Sequence, residues 1–355
     1  MTSDSRRDLR VGLIGFGLGG AFFHAPLIAA TPGLKLTTVV TANAERRAQA
    51  LRDYPGVQVL SDPERLWRDA AHHDLVVIST PNRSHVPLAL AALDAGLSVV
   101  IDKPFAPTSA EARRVIAKAR KKKLVVSAYH IRRWDSECRT LRDLMARGDL
   151  GRVLRFESRL ERWRPEPKGG WKERPAPEEA GGLLYDIGSH LIDQALYLFG
   201  PVRDVYAELD IRRAGAGTDD DVFVALTHMS GVRSHLWASC LAAQTGARMR
   251  VMGDHAAFVK QQGDVQEAAL RAGARPGQAG WGEDPPDHWG ILSDGSISRA
   301  VPSVPGAYQE FYAGMVRALR DGAPLPVDPQ DVIAGLEIIE AAQRSSAERR
   351  VVMLA

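Results

Sequence analysis

The stretch Val11-Gly12-Leu13-Ile14-Gly15-Phe16-Gly17-Leu18-Gly19-Gly20 decides the fold of this chain. Its opening is a short apolar run, the pattern of a strand buried on both faces. The run leads directly into Gly15-Phe16-Gly17-Leu18-Gly19-Gly20, which fits G-x-G-x-x-G. Such a turn needs Gly15 for its tightness and Gly17 so that backbone can approach a pyrophosphate. Gly20 lets the next helix pack closely on the sheet, with the anion at the helix N-terminus. A glycine turn without a ligand would read alike, and methyltransferases share part of the pattern, so the surroundings must decide.

The surroundings alternate. Strand candidates at 11–16, 34–41, 74–80, 97–102 and 123–129 are separated by helical stretches near Glu45–Arg52, Pro63–Ala71, Val86–Ala95 and Ser109–Lys122. This βαβ rhythm predicts an α/β Rossmann domain, a doubly wound parallel sheet, over residues 1–130. Beyond it, 151–162 alternates apolar and polar residues, and two strand-like runs flank Ser230-Gly231, a good hairpin turn. Further strands are read in 203–213 and 247–260, with loops at 164–182 and 272–306. Residues 131–355 therefore read as an α+β domain with a largely antiparallel sheet. Its C-terminal helix, capped by Asp328, is free to pack back on the first domain.

Totals narrow the class. A length of 355 residues suggests two domains. With 45% hydrophobic and 25% charged residues and a net charge of +3, the chain reads as an ordinary soluble globular protein. The basic run Lys118-Ala119-Arg120-Lys121-Lys122-Lys123 falls where a helix ends, where cations complement the dipole, so no nucleic-acid partner is expected. Cys138 and Cys240 lack a partner motif, which suits a reducing compartment and excludes a cysteine-based zinc site. The opening MTSDSRRDLR holds no apolar leader and no run approaches a membrane span, so a cytoplasmic protein without a membrane partner is expected. No metal site is expected, and His72-His73 reads as structural.

In an enzyme preferring NAD, a carboxylate about 20 residues past the glycines holds the ribose 2′-hydroxyl. Here no Asp or Glu occurs from Ala21 to Ala44, and Thr41-Ala42-Asn43 is followed by Glu45-Arg46-Arg47. A 2′-phosphate meets no repulsion there and Arg46 or Arg47 can pair with it, which predicts NADP over NAD. The alternative is that both arginines merely solvate a helix. The fourth strand then ends Asp102-Lys103-Pro104, and a lysine at the carboxyl end of a parallel strand points into the ligand crevice. Finally, GGLLYDIGSHLIDQALY (181–197) places Asp186, His190, Asp193 and Tyr197 in one wedge of an ideal helix. The wet side of an ordinary amphipathic helix would show the same pattern.

Together these motifs resemble the Gfo/Idh/MocA oxidoreductases. That family carries Glu-Lys-Pro where this chain has Asp102-Lys103-Pro104, and an Asp followed four residues later by His, matched by Asp186 and His190. GLGGAFFHAPL, YHIRRWD, ERWRPE, GGLLYDIGSHLIDQ and VPSVPGAYQEFY are similar to the branch containing NADP-dependent scyllo-inositol dehydrogenases. Three positions depart from it: Asp102 shortens the usual glutamate, Ile131 replaces an asparagine, and Asn43 stands where an arginine is expected.

The resemblance implies that Lys103 and the Asp186/His190 pair meet over a nicotinamide. A neutral His190 would take the proton of a secondary alcohol, with Asp186 orienting the imidazole or holding a hydroxyl and Lys103 stabilising the alkoxide. Which of His190 and Lys103 is the base stays open. The cofactor would lie on Gly15, Phe16, Gly17, Leu18, Gly20, Thr41, Asn43, Arg46, Thr80, Pro81, Asn82, His85 and Lys103. A polyol or sugar would meet His130, Arg132, Trp163, Arg164, Trp171 and Asp193, with one of Arg132 and Arg133 reaching the pocket. Association through the sheet face of the second domain, as a homodimer or homotetramer, is also implied. An NAD-dependent glycosidase or a non-catalytic cofactor sensor on the same fold are the rival readings.

Overall fold

The computed structural model describes residues 7–354. The absence of an apolar leader was read partly on residues 1–6, outside that range. Six strands form an all-parallel sheet: β1 Leu9–Ile14, β2 Leu34–Val40, β3 Gln58–Leu60, β4 Leu75–Ile78, β5 Ser98–Ile101 and β6 Val126–Ala128. Their order is β3-β2-β1-β4-β5-β6, so the direction of winding reverses between β1 and β4, where this architecture binds its ligand. Helices α1 Ala25–Ala30, α2 Ala44–Asp53, α3 Glu64–Arg68, α4 His85–Asp94 and α5 Ser109–Lys122 connect the strands. Every residue of β4 and β5 is buried, as a strand covered by helices on both faces requires. The Thr108 hydroxyl caps α5 by accepting from Glu111 N, and the basic run at its end pairs Lys118 and Lys122 with Asp94 of α4. Those cations hold two helices together.

Two elements of this domain lie outside the expected pattern. The three-residue β3 is too short to show a period. The helix after the glycine turn opens as a π-helical turn, Gly19–His24, before α1, so its spacing fits no regular helix.

The second domain carries α6 Ser136–Ala146, β7 Val153–Glu161, α7 Ser189–Phe199, β8 Val202–Asp210, β9 Asp221–His228 and β10 Arg233–Ser239. It continues with β11 Met249–Gly253, β12 Ala257–Lys260, α8 Gln266–Arg271, β13 Gly290–Ser293, β14 Ser298–Val301, α9 Gln309–Asp321, α10 Pro329–Glu348 and β15 Val352–Met353. Its nine-stranded sheet runs β14-β13-β12-β11-β7-β10-β9-β8-β15 and is antiparallel except where β7 pairs with β10. The Ser230-Gly231 turn joins β9 to β10, with Gly231 at a φ of 88° that side chains avoid. The segment 272–306, expected to be loop, contains the β13–β14 hairpin; two four-residue strands rich in serine carry too little apolar periodicity to be seen.

One face of this sheet buries Phe156, Val224, Leu236 and Val251. The other face leaves Phe223, His235 and Trp237 half-buried, with the Arg159 guanidinium 3.8 Å from the Trp237 ring centroid. Helix α10 joins both domains. Asp328 caps it by accepting from Gln330 N (2.8 Å), Glu340 accepts from Ser109 N (2.7 Å) and Oγ (2.9 Å) of α5, and Ser345 Oγ accepts from Ala207 N of β8 (3.0 Å). A fully buried ion pair anchors the irregular segment before β13: Lys260 Nζ lies 2.7 Å from Asp284 Oδ2 and donates to His288 O at 2.6 Å. Cys138 and Cys240 are both buried and unpaired. Among the described residues no helix is long and apolar enough to cross a membrane, and no cluster of His, Cys, Asp or Glu is arranged to hold a metal.

Candidate active site

The glycine turn permits no side chain at two of its positions. At Gly15, with φ of 94°, a Cβ would lie 2.1 Å from Ser79 O, and at Gly20 it would lie 2.0 Å from Gly15 O. The ideal Cβ direction of Gly17 instead points at the Arg46 guanidinium, 3.6 Å away. Asn43 explains that placement. Its Oδ1 caps α2, accepting from Arg46 N at 2.9 Å, which fixes the first turn and sends Arg46 over the glycines. Thr41 Oγ1 accepts weakly from Asn43 N at 3.4 Å. Leu18 is exposed, whereas the Phe16 ring is buried edge-on against Tyr54 and offers the turn only its backbone.

The loops after β4 and β5 form the next wall. The His85 ring bridges them, 2.9 Å from Thr80 O and 2.8 Å from Pro104 O. Thr80 Oγ1 accepts from Ser84 Oγ at 3.2 Å. Pro81 turns the chain into the short helix Asn82–Ser84. The Asn82 amide donates to Glu179 O (3.0 Å) and Ala180 O (3.2 Å), so its side chain clamps a second-domain loop. Asp102 is also a brace: it accepts from Ser79 Oγ (2.9 Å) and Lys103 N (2.8 Å), and lies 3.4 Å from His24 Nε2. Burial alone would raise its carboxyl, but the neighbouring His24 and then Lys103 hold it below the usual range.

From this wall Lys103 reaches across to the second domain. Its Nζ donates to Asp186 Oδ1 at 2.9 Å and to Asp186 O at 2.5 Å. Asp186 sits in a second π-helical turn, Leu184–Gly188, held by Asp219, which accepts from Leu184 N at 2.6 Å. Lys172, from the β7–α7 loop, donates to the same Oδ1 at 2.5 Å, and Arg162 lies 4.0 Å from Oδ2. Burial would raise the Asp186 carboxyl, yet Lys103 and Lys172 together hold it well below its ordinary range. Burial lowers the Lys103 ammonium; Asp186 opposes that, and Lys172 adds to it. His190 is 7% exposed, and its Nδ1 has no hydrogen-bond partner among the described residues. Burial first, then the positive charges of Lys103 and Arg132, hold the imidazole well below its usual pKa and therefore neutral.

The wedge read on an ideal helix is not a wet face. His190 and Asp193 are buried against the first domain, and the π-turn changes the phase between Asp186 and the residues that follow. Asp186 pairs with lysines and makes no hydrogen bond to the imidazole. Both oxygens of Asp193 are taken by Arg133, at 2.6 to 3.2 Å, and Arg133 also meets Asp331 at 3.0 Å. That network commits Asp193 first to Arg133, with Oδ2 accepting a single bond. Tyr197 lies under the guanidinium groups of Arg133 and Arg142.

His130 is buried, 4.0 Å from Asp193, with its pKa lowered chiefly by burial. Arg132 pairs with Glu267 at 2.9 Å and lines an open cleft with Glu137, Arg159 and Arg248, a cleft to which Lys103, Asp186 and His190 do not contribute. Trp163 and Arg164 are exposed at the rim, where the Arg164 backbone N donates to Cys240 O at 2.7 Å. Trp171 opens the short helix Trp171–Glu173, whose product at this site is the Lys172 ammonium. Lys172 was not singled out from sequence as a site residue. The available signal was a cation beside a tryptophan within a Pro/Gly-rich loop.

Two family models match the chain. An oxidoreductase-family NAD-binding Rossmann fold covers residues 9–130, and an oxidoreductase-family C-terminal alpha/beta domain covers residues 142–354. The chain is 40% identical to the uncharacterized oxidoreductase YdgJ of Escherichia coli, over 98% of this chain and 99% of that protein. It is 35% identical to the scyllo-inositol 2-dehydrogenase (NADP(+)) IolW of Bacillus subtilis, over 98% and 96%. The solved structure of yvaA from Bacillus subtilis superposes with a TM-score of 0.93 at 34% identity, covering 98% of this chain and 99% of that one.

Proposed function

The chain belongs to the Gfo/Idh/MocA family of oxidoreductases, and from that premise we propose that it moves a hydride between NADP and a secondary alcohol or ketone of a cyclic polyol or sugar. An inositol such as scyllo-inositol is the first candidate. The contact of Lys103 with Asp186 carries this reading, because it brings a cation of the cofactor domain and a carboxylate of the other domain to one point. The similarity to an NADP-dependent scyllo-inositol dehydrogenase supports the substrate class.

The residues fit the cofactor. Gly15 and Gly20 have no room for side chains of their own, and the Arg46 guanidinium stands beside Gly17, where an anionic ribose phosphate can be paired. Bound NADP supplies the hydride acceptor or donor. Around it, His190 or Lys103 takes the hydroxyl proton while the other steadies the oxygen. Asp186 holds the Lys103 ammonium in place between the domains. Arg132, whose charge acts on His190, would hydrogen-bond substrate hydroxyls. The half-buried aromatic face of the second sheet supports association into a homodimer or homotetramer.

The test is a panel of scyllo-inositol, myo-inositol, aldoses and their keto forms, followed by NADPH absorbance. Substrate-dependent formation or consumption of NADPH is the expected result; no reaction across the panel, with release of free sugar from an aryl glycoside without net cofactor turnover, overturns the reading. Arg46→Ala is expected to lower kcat/KM for NADP about 10-fold or more, the size of one charge-assisted hydrogen bond, with little change for NAD. Equal losses with both cofactors would show that Arg46 does not meet a 2′-phosphate.

A further inference from the structure

Three cations converge on one carboxylate in this site, and two of them have no part in the reading above. Lys103 Nζ and Lys172 Nζ both contact Asp186 Oδ1, at 2.9 and 2.5 Å, and Arg162 approaches Oδ2 at 4.0 Å. A single negative charge cannot neutralise two ammonium groups, so positive charge is left over beside the groups that exchange protons. The two lysines differ in setting. Lys103 is 14% exposed and emerges from the cofactor domain, whereas Lys172 is 49% exposed and arrives on the β7–α7 loop.

We propose that Lys172 is a positioning residue: through the Asp186 carboxylate that it shares with Lys103, it keeps the proton-accepting groups of the site readily deprotonated. This rests on the reading of Lys103 and His190 as the pair that exchanges the hydroxyl proton.

The electrostatic surroundings agree. Lys103 is faced by Asp186 from the second domain, by Asp102 from its own strand end, and by Lys172 from the loop. His190 is faced by Lys103, by Arg132 and His130 from the segment after β6, and by Lys172. The Lys172 charge thus acts in the same direction on both candidate bases, lowering each. It also shares Oδ1 of Asp186, so that the carboxylate does not serve Lys103 alone.

The loop that carries Lys172 is held in place. Gly182 N donates to Lys172 O at 2.8 Å, closing the loop on itself, and Arg213, buried against Asp220 at 2.9 Å, reaches Glu173 at 3.1 Å. The residue after Lys172 is therefore tied to the body of the second domain. A half-exposed lysine that served only solubility would need no such anchoring.

The decisive measurement follows the titration of Lys103 directly, using protein carrying 13C-lysine and a Lys103→Met spectrum for assignment. Removing one unit charge a few ångströms away across a partly wetted site is expected to raise the Lys103 midpoint by about 0.5–1 pH unit in Lys172→Met. Lys172→Arg keeps the charge and should leave the midpoint near that of the parent. An unchanged midpoint in Lys172→Met, or an equal rise in Lys172→Arg, overturns the proposal. With scyllo-inositol and NADP, the acid limb of kcat/KM should move to higher pH in Lys172→Met alone. Should the parent protein not oxidise scyllo-inositol, that substrate reading fails, while the lysine titration still decides the role of Lys172.

Discussion

Replacing Lys103 by alanine, or His190 by alanine, is expected to reduce turnover by about 10²–10⁴-fold, the range for loss of a positioned acid–base group. The fold should survive both changes. Without Lys103, Asp186 keeps Lys172 at 2.5 Å and Arg162 at 4.0 Å, so no buried carboxylate is stranded. Without His190, the site loses a neutral imidazole whose Nδ1 has no partner, so no hydrogen bond to that nitrogen is broken. Affinity for NADP should largely survive, since neither change touches the glycine turn or Arg46. Parallel measurements of kcat, of NADP binding by fluorescence and of unfolding separate these effects. Near-normal turnover in both variants would remove the mechanism, and lost cofactor binding would place the residues in a different role.

The second large effect concerns stability. Lys260→Met should destabilise the protein by about 3–5 kcal/mol, as breaking a buried pair by removing one partner typically does. Lys260 and Asp284 are both fully buried, and Asp284 Oδ1 has no hydrogen-bond partner among the described residues. The remaining contact, Ser136 Oγ at 2.7 Å, cannot neutralise an anion. The double variant Lys260→Met with Asp284→Leu removes both charges and should recover much of the loss, because two apolar side chains owe no desolvation to each other. Denaturant midpoints of the single and double variants check this. A single variant as stable as the parent would mean that water reaches the pair.

The lysine and histidine proposed for proton exchange were legible because local chain features mark them. A lysine after a buried strand and a histidine four residues past an aspartate are short patterns, visible without knowing what lies opposite. The same holds for the glycines, since a turn that admits no Cβ can be written with few residue types. Asn43 was legible as a site neighbour but not in its role. A cap and a ligand contact use the same amide, and only the position of Arg46 N distinguishes them.

Partner choice was illegible. Lys103 and Asp186 are 83 residues apart, and Arg133 and Asp193 are 60 apart. Nothing in either stretch says that Asp186 would be met by two lysines while Asp193 would be paired with an arginine. The two π-helical turns add to this, because one extra residue per turn rotates every later side chain away from the ideal wheel. Asn82 likewise turned to the second domain because Glu179 and Ala180 present carbonyl groups there.

The amino-acid sequence by itself determined the parallel and antiparallel halves, the glycine turn and the family, because periodicity, turn chemistry and short motifs act within a few residues of one another. Tertiary structure alone decided which charges meet. Ion pairing depends on distances of a few ångströms between segments far apart in the chain, and those distances exist only after the two domains have packed.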